Sequence, residues 1–410
     1  EAFFAAAGVP VDAVDVNQPT YLKALGQLIG AVPVSQWREY FFFQLLDVAA
    51  PYLATPFATA HFDFHSRVLQ GVQEQPARWK RGVALLGSSV GQLVGKQYVA
   101  LHFQPESKAR MLELVDNLRA AFAQSIDTLE WMSAGTRAAA KQKLAKFSVK
   151  IGYPDKWQDY GALTIARDDL FGNIERSVGY QFDRSVAKLG APIDRSEWFM
   201  TPQTVNAYYN PVMNEIVFPA AILQPPFFDP QADDAVNYGG IGGVIGHEMS
   251  HGFDDSGRQY DGDGNLRDWW TEADAARFKA LADRLVAQYD AYTVLDGEHL
   301  NGRLTLGENI GDLSGLAIAH LAYRMSLGGR EAPVIDGYTG EQRFFLGWSQ
   351  GWRTKYRDEN LRMRLVTDPH SPAQFRVNGV VTNLDAFYAA FGVDVGDKLY
   401  RPAADRVKIW

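Results

Sequence analysis

Five glycines, Gly239, Gly240, Gly242, Gly243 and Gly246, crowd a segment of helical periodicity that runs into His247-Glu248-Met249-Ser250-His251. In a helix each glycine costs about 1 kcal/mol relative to alanine. Local propensity does not hold such a helix, so it needs close tertiary packing or a bound ligand. The fold must therefore bring another element, or an ion, very near this stretch.

The H-E-x-x-H pattern says which ion. Helix positions four apart lie one above the other, so both imidazoles project from one face and can share one Zn²⁺. Glu248 then sits beside the metal rather than on it, where a carboxylate can take a proton from zinc-activated water. The plain alternative, two solvated histidines and a surface glutamate, leaves the glycines unexplained.

Two histidines need a third protein ligand and an open position for water. A histidine directly downstream is excluded, because Asp254 and Gly257 stand where that pattern requires Gly and His. A glutamate on another helix is the next possibility, and Gly307-Glu308-Asn309-Ile310-Gly311-Asp312 offers it. Glu308, Asp312, Gly315 and Ala319 share a helical face whose small residues would let it lie tightly against the glycine-rich helix. Asp312, one turn past Glu308, and Asp254, near His251, are placed to accept the second ring N–H of a ligand imidazole, which fixes tautomer and orientation.

These residues, with Asn206-Ala207-Tyr208-Tyr209, Val217-Phe218-Pro219-Ala220, Gln224-Pro225-Pro226-Phe227-Phe228, Asp268-Trp269-Trp270, His299-Leu300-Asn301-Gly302 and His370-Ser371-Pro372-Ala373-Gln374-Phe375-Arg376, resemble the neprilysin and endothelin-converting enzyme family of zinc metallopeptidases. The likeness is dense over the last half of the chain and looser at Trp79-Lys80-Arg81 and Ile151-Gly152-Tyr153-Pro154-Asp155-Lys156-Trp157. The resemblance implies a mainly α fold with a small β component, comprising a thermolysin-like gluzincin catalytic lobe and part of a helical lid lobe. It also implies one zinc ion per chain on His247, His251 and Glu308, with Glu248 as general base and Asp312 as a carboxylate behind a ligand.

Family members often have a proton donor at the place of Asp312. A carboxylate bonded to an imidazole beside a dication should stay ionised, so an orienting role is expected here. The resemblance further assigns His370 to the oxyanion, Arg376 to a substrate carbonyl, Asn206 and Ala207 to the peptide backbone, and Ile222, Phe227, Val244 and Trp352 to an apolar pocket. Cleavage on the amino side of a hydrophobic residue follows from the same kinship. Gly243 replaces a bulkier family residue, which predicts a larger or less selective pocket. Residues 205–209 and 215–218 read as short strands around an Asn-Pro turn, and an exposed strand edge binds extended peptides through main-chain hydrogen bonds.

Other motifs carry less. Asp261-Gly262-Asp263-Gly264-Asn265 imitates a calcium loop, but Leu266 stands where the sharp turn needs glycine, so a Gly-Asp turn is expected. His61, His65 and His102 lie in helical or aromatic surroundings and are read as packing or surface residues without ligand spacing. No phosphate-cradling loop and no basic stripe suggests nucleic acid. Composition is that of a globular chain, 47% hydrophobic and 21% charged with net charge −8, which gives no reason to expect anionic partners. With no cysteine, bonds do not report the redox compartment. Val407 occupies the place of a cysteine in animal relatives, which suggests a bacterial-type member. Kinship points to a periplasmic or secreted location, with cytoplasmic members also known.

Amphipathic spacing predicts helices over 106–130, 136–146 and 168–189, with a strand over 147–153. A helical segment with linkers is expected over 1–148 and the catalytic domain over 149–410. Glu1-Ala2-Phe3-Phe4 does not read as a signal peptide, and no apolar run reaches spanning length. Relatives carry a long upstream segment, so this stretch is expected to be the C-terminal part of a longer precursor whose upstream segment is a partner of the chain. Oligopeptides are the expected substrates. A catalytically silent peptide-binding protein of the same fold is the alternative function, and a helical interaction protein with an accidental H-E-x-x-H is the remaining rival.

Overall fold

The computed structural model describes residues 2–410, so Glu1, which opens the stretch weighed as a signal peptide, lies outside the described residues. Contacts divide the chain into two units, Glu1–Gly91 with Gln158–Arg195, and Gln92–Trp157 with Ser196–Trp410. Among the described residues no single helix is long and apolar enough to cross a membrane.

The division expected near residue 148 falls elsewhere, because residues 92–148 pack into the second unit. Helix Pro105–Thr128 presents Met111, Leu114, Val115, Leu118, Phe122 and Ile126 at helical spacing, and each is at most 1% exposed. Phe122 meets the rings of Phe253 and Trp410 edge-on at 5.1 and 5.7 Å. This helix therefore shares a core with the residues just past H-E-x-x-H, which sequence proximity does not reveal. Helix Ala134–Ala145 follows, capped by Ser133. The Ser133 and Thr136 hydroxyls donate to buried Asp274, which stands in the first turn of helix Glu272–Asp290.

Strand β1, Ser148–Gly152, pairs in parallel with β3, Glu215–Pro219. Strand β2, Tyr208–Asn210, pairs antiparallel with β3, with Tyr208 opposite Val217. The order β1-β3-β2 leaves β2 at an edge. Its strand begins later than the expected 205, so Asn206 and Ala207 lead into the edge rather than lying in the ladder. Asn214 closes the turn at φ 47°, a left-handed conformation that asparagine tolerates.

The second unit centres on two helices, Gly243–His251, entered through a π-helical turn at Tyr238–Gly242, and Leu306–Ser326. Their backbones touch where Gly246 meets Gly315. A Cβ added to Gly246 would overlap the Gly315 carbonyl oxygen, and one added to Gly315 would overlap the His247 amide nitrogen. The tight contact expected from the small-residue face is thus present, and it accounts for a helix whose own propensity is poor.

The first unit is helical among the described residues. Helices Pro19–Ala31, Val34–Ala49 and Thr55–His61, the last continuing as a π-helical Phe62–Val68, are joined by Leu170–Val186, capped by Asp169. Gly190 at φ 74° lies beyond it, as its stop signal predicts. Helix Arg78–His102 spans the division at Gly91 and is broken at Val90 (φ −132°, ψ 39°). Among the described residues of this unit, the buried apolar side chains are Ala50 and Phe62, whereas Phe41, Phe42 and Phe43 are exposed.

Gly315→Ala forces a methyl into the helix crossing, so it should destabilise the chain by about 1–3 kcal/mol. Urea unfolding measures this, and an unchanged midpoint would mean that the two backbones have room to spare.

Candidate metal centre and peptide cleft

The two helices bring the three expected ligands together. The rings of His247 and His251 stand at 86° with centroids 4.5 Å apart and Nε2 atoms separated by 2.9 Å. Glu308, in the first turn of the second helix, places Oε2 3.2 Å from His247 Nε2 and Oε1 3.7 Å from His251 Nε2. One donor atom from each residue lies within 4.8 Å of the others. Glu308 Oε2 is buried yet accepts no well-directed hydrogen bond, an orphan acceptor that calls for a partner. Two imidazole nitrogens and a carboxylate, one of whose oxygens is that orphan, fit zinc.

Each imidazole is held from behind. His247 Nδ1 donates to Asp312 Oδ1 at 2.8 Å, and a Cβ at Gly311 would lie 2.8 Å from that same nitrogen. Asp312 is fully buried and takes two bonds from Arg376, Nε to Oδ2 at 2.6 Å and Nη2 to Oδ1 at 2.7 Å. Burial opposes its charge, but Arg376 and His247 outweigh burial and hold the carboxyl below its ordinary range. The guanidinium in turn lies 4.0 Å from the centroid of the Trp352 ring. His251 Nδ1 donates to Asp254 Oδ2 at 2.7 Å, while Asp254 Oδ1 accepts the backbone N–H groups of Ser256 and Gly257.

These carboxylates also set the protonation of the imidazoles. Burial disfavours a charged His247, yet its bond to Asp312 and the nearby Glu308 carboxylate prevail and raise the ring to about 10. A cation must therefore displace a proton. For Glu248, burial pushes the carboxyl up, with the two imidazoles pulling it down.

A cavity of about 400 Å³ opens on this cluster. Asn206, Ala207, Ile222, Phe227, Val244, Trp352, His370 and Arg376 line it together with His247, His251, Glu308, Glu248 and Asp312; Asp254 stands behind His251, outside the lining. His370 Nε2 lies 3.3 Å from Glu308 Oε2, and its Nδ1 donates to Asp368 at 2.8 Å. The enlargement expected at Gly243 does not follow, because a Cβ there would lie 2.6 Å from the Trp348 ring. The indole occupies the space that a side chain would have taken, and Trp348 itself lines the cavity. The loop at 261–265 is a turn, with Asp261 Oδ1 accepting the Asp263 and Asn265 amides. His102 ends its helix beside Tyr98. His61 and His65 do have ligand spacing: their rings stack at 4.2 Å beside Asp47.

Three side chains at the site are additional to those expected from sequence: Trp348, Asp368 and Lys143. Lys143 is 2% exposed, and its ammonium donates to the carbonyls of Gly252, Gly257 and Tyr260 at 2.6, 2.7 and 2.7 Å. It also lies 5.5 to 6.0 Å from the ring centroids of Tyr209, Phe253 and Trp269. Burial drives its pKa down to about 7, against the pull of Asp254 and Asp261. Three carbonyls that each need a donor are served in full only by the charged group. The loop leaving the His-Glu helix is thus wrapped around a cation belonging to the chain. Thr136, Ala140, Lys143 and Leu144 form the buried stripe of helix Ala134–Ala145, and a lysine on an apolar stripe is the signal that could have found it.

A mainly helical unit in which two histidines of one helix meet a glutamate of another has the architecture of the gluzincin peptidases. The chain belongs to peptidase family M13, whose family models match residues 206–407 and 1–154. Among curated relatives, endothelin-converting enzyme-like 1 of Homo sapiens is 37% identical over 90% of this chain and 49% of its own length, and neprilysin-2 of Drosophila melanogaster is 37% identical over 94% and 53%. Among solved structures, the zinc metalloprotease of Mycobacterium tuberculosis in complex with an inhibitor superposes with a TM-score of 0.94 at 55% identity, covering 97% of this chain and 61% of that one. PEPO from Lactobacillus rhamnosis gives 0.85 at 34% identity, covering 92% and 58%. The chain spans about half the length of the curated relatives it matches.

Lys143→Met keeps much of the side-chain length but leaves three buried carbonyls without a donor. It should destabilise the chain by about 3 kcal/mol or more and loosen zinc retention, with unfolding and metal content measured together. Wild-type values for both would show that the loop holds itself.

Proposed function

We propose that the chain carries the catalytic machinery of a zinc-dependent endopeptidase that hydrolyses oligopeptides on the amino side of a hydrophobic residue. The observation that supports this reading most is the convergence of His247, His251 and Glu308 at a cavity that also receives Glu248 and an apolar wall. When bound, the ion supplies Lewis-acid polarisation of a peptide carbonyl and a water of lowered pKa.

In this reading Glu248 accepts the proton of the attacking water and later returns it to the leaving amine. Its burial and upward-shifted carboxyl suit a group that must hold a proton transiently. His370, fixed through Nδ1 by Asp368 and with Nε2 3.3 Å from Glu308 Oε2, lines the cavity where a ring N–H can be offered to the developing oxyanion. Asp312 orients His247 and stays ionised, because Arg376 binds it on two atoms. Arg376 Nη1 makes no hydrogen bond among the described residues, which leaves it for a substrate carbonyl. Asn206 and Ala207, continuing the free edge of β2, bind the peptide main chain, while Ile222, Phe227, Val244 and Trp352, joined by Trp348, receive a hydrophobic side chain. Kinship adds a periplasmic or secreted working place to the proposal.

Glu248→Gln should retain zinc and lose about 10²-fold to 10⁴-fold in cleavage of a quenched peptide library, with chelator abolishing wild-type cleavage. Undiminished turnover by this variant rejects the assigned base, and a wild-type chain that binds peptide without turnover leaves the silent-binder alternative. Val244→Phe fills the pocket, so kcat/KM should fall roughly 10-fold to 200-fold for peptides with a large residue after the scissile bond and little for alanine there. Equal losses on both would place specificity elsewhere.

A further inference from the structure

We propose that Asp47, His61 and His65 form a second transition-metal site, located wholly in the first unit. His61 and His65 are four residues apart along continuous helix, the spacing used by His247 and His251, and the carboxylate again comes from a different helix, Val34–Ala49. His65 Nε2 lies 3.0 and 3.1 Å from the two Asp47 oxygens. One donor atom of each residue falls within 4.8 Å of the others. Among the described residues no lysine or arginine pairs with Asp47, and no hydrogen bond occupies a nitrogen of His61. Arg67, on the next turn, is committed to Asp63 and lies over the Phe62 ring. The carboxylate and the ring nitrogens therefore have no competing cation of the chain's own.

Two further observations favour an ion. The turn carrying His65 is π-helical, Phe62–Val68, and such turns occur frequently at functional sites. The unit also buries little apolar surface, Ala50 and Phe62 being its buried apolar side chains among the described residues. A fold with so small a core gains from a staple, and an ion on these three residues ties helix Val34–Ala49 to the segment that holds Phe62. Two imidazoles and one carboxylate select Zn²⁺, Ni²⁺, Co²⁺ or Cu²⁺ over Mg²⁺ and Ca²⁺. The rings are tilted by 30°, against 86° at His247 and His251, so their lone pairs converge less sharply. All three side chains are only half-buried. The ion here binds more weakly and exchanges more readily than at the first site.

The test is metal content of the whole chain after equilibrium dialysis against zinc, comparing wild type with the His61→Gln, His65→Gln double variant. The wild type should hold one equivalent more, and zinc should raise its thermal midpoint further than that of the double variant. Equal content in the two proteins overturns the proposal, as does an extra equivalent that survives the substitutions and is thereby an adventitious ion. Circular dichroism checks that the variants fold, and Asp47→Asn, which leaves both rings in place, should lose the same equivalent. Cobalt titration of the wild type gives an independent count, where saturation at the first site alone is again a negative result. None of these measurements reads peptide hydrolysis, so failure here is separate from failure of the peptidase reading.

Discussion

The approach of two helix backbones at Gly246 and Gly315 is the constraint on which the site rests. A helix with this many glycines is a poor helix in isolation, and its stability comes from the partner that the glycines admit. That partner carries Glu308 in its first turn, so the contact that holds the helix also brings a carboxylate to the imidazoles. One turn later comes Asp312, close enough to His247 only because Gly311 carries no side chain against the ring and Gly315 none against the His247 backbone. Packing and chemistry here are one arrangement.

From that crossing the polar groups extend outwards in two chains. One runs from His247 through Asp312 to Arg376 and the face of Trp352. The other runs from His251 to Asp254, whose second oxygen holds the loop that closes around Lys143. In each, a buried charge meets an opposite charge or a set of dipoles, the condition under which burial is tolerable. Both imidazoles therefore have their orientation fixed before any ligand arrives, and the reorganisation needed on metal capture is small.

What sequence revealed follows from what is local. Helices at 105–128, 134–145 and 170–186 were legible because their apolar residues recur at helical spacing, and the H-E-x-x-H pair because four residues make one turn. Glu308 and Asp312 were legible through their small-residue face, which announces a close contact without naming the partner. Lys143 was not, since its three carbonyl partners lie 109 to 117 residues away, in a loop with no pattern of its own. The allegiance of residues 92–148 was hidden for the same reason: Phe122 finds Phe253 and Trp410 only in three dimensions. Gly243 misled because a missing side chain reads as space, whereas Trp348 fills it. At Asp47, the 3.0 Å approach to His65 joins two helices whose separation in sequence carries no register.

The ammonium of Lys143 does at the end of the His-Glu helix what a calcium ion does in many secreted enzymes: it gathers carbonyl oxygens of a loop around one positive charge. Unlike calcium it is tethered covalently and cannot be sequestered. A chelator therefore has no hold on this internal cation, and the loop gathered around it needs no captured ion to keep its place.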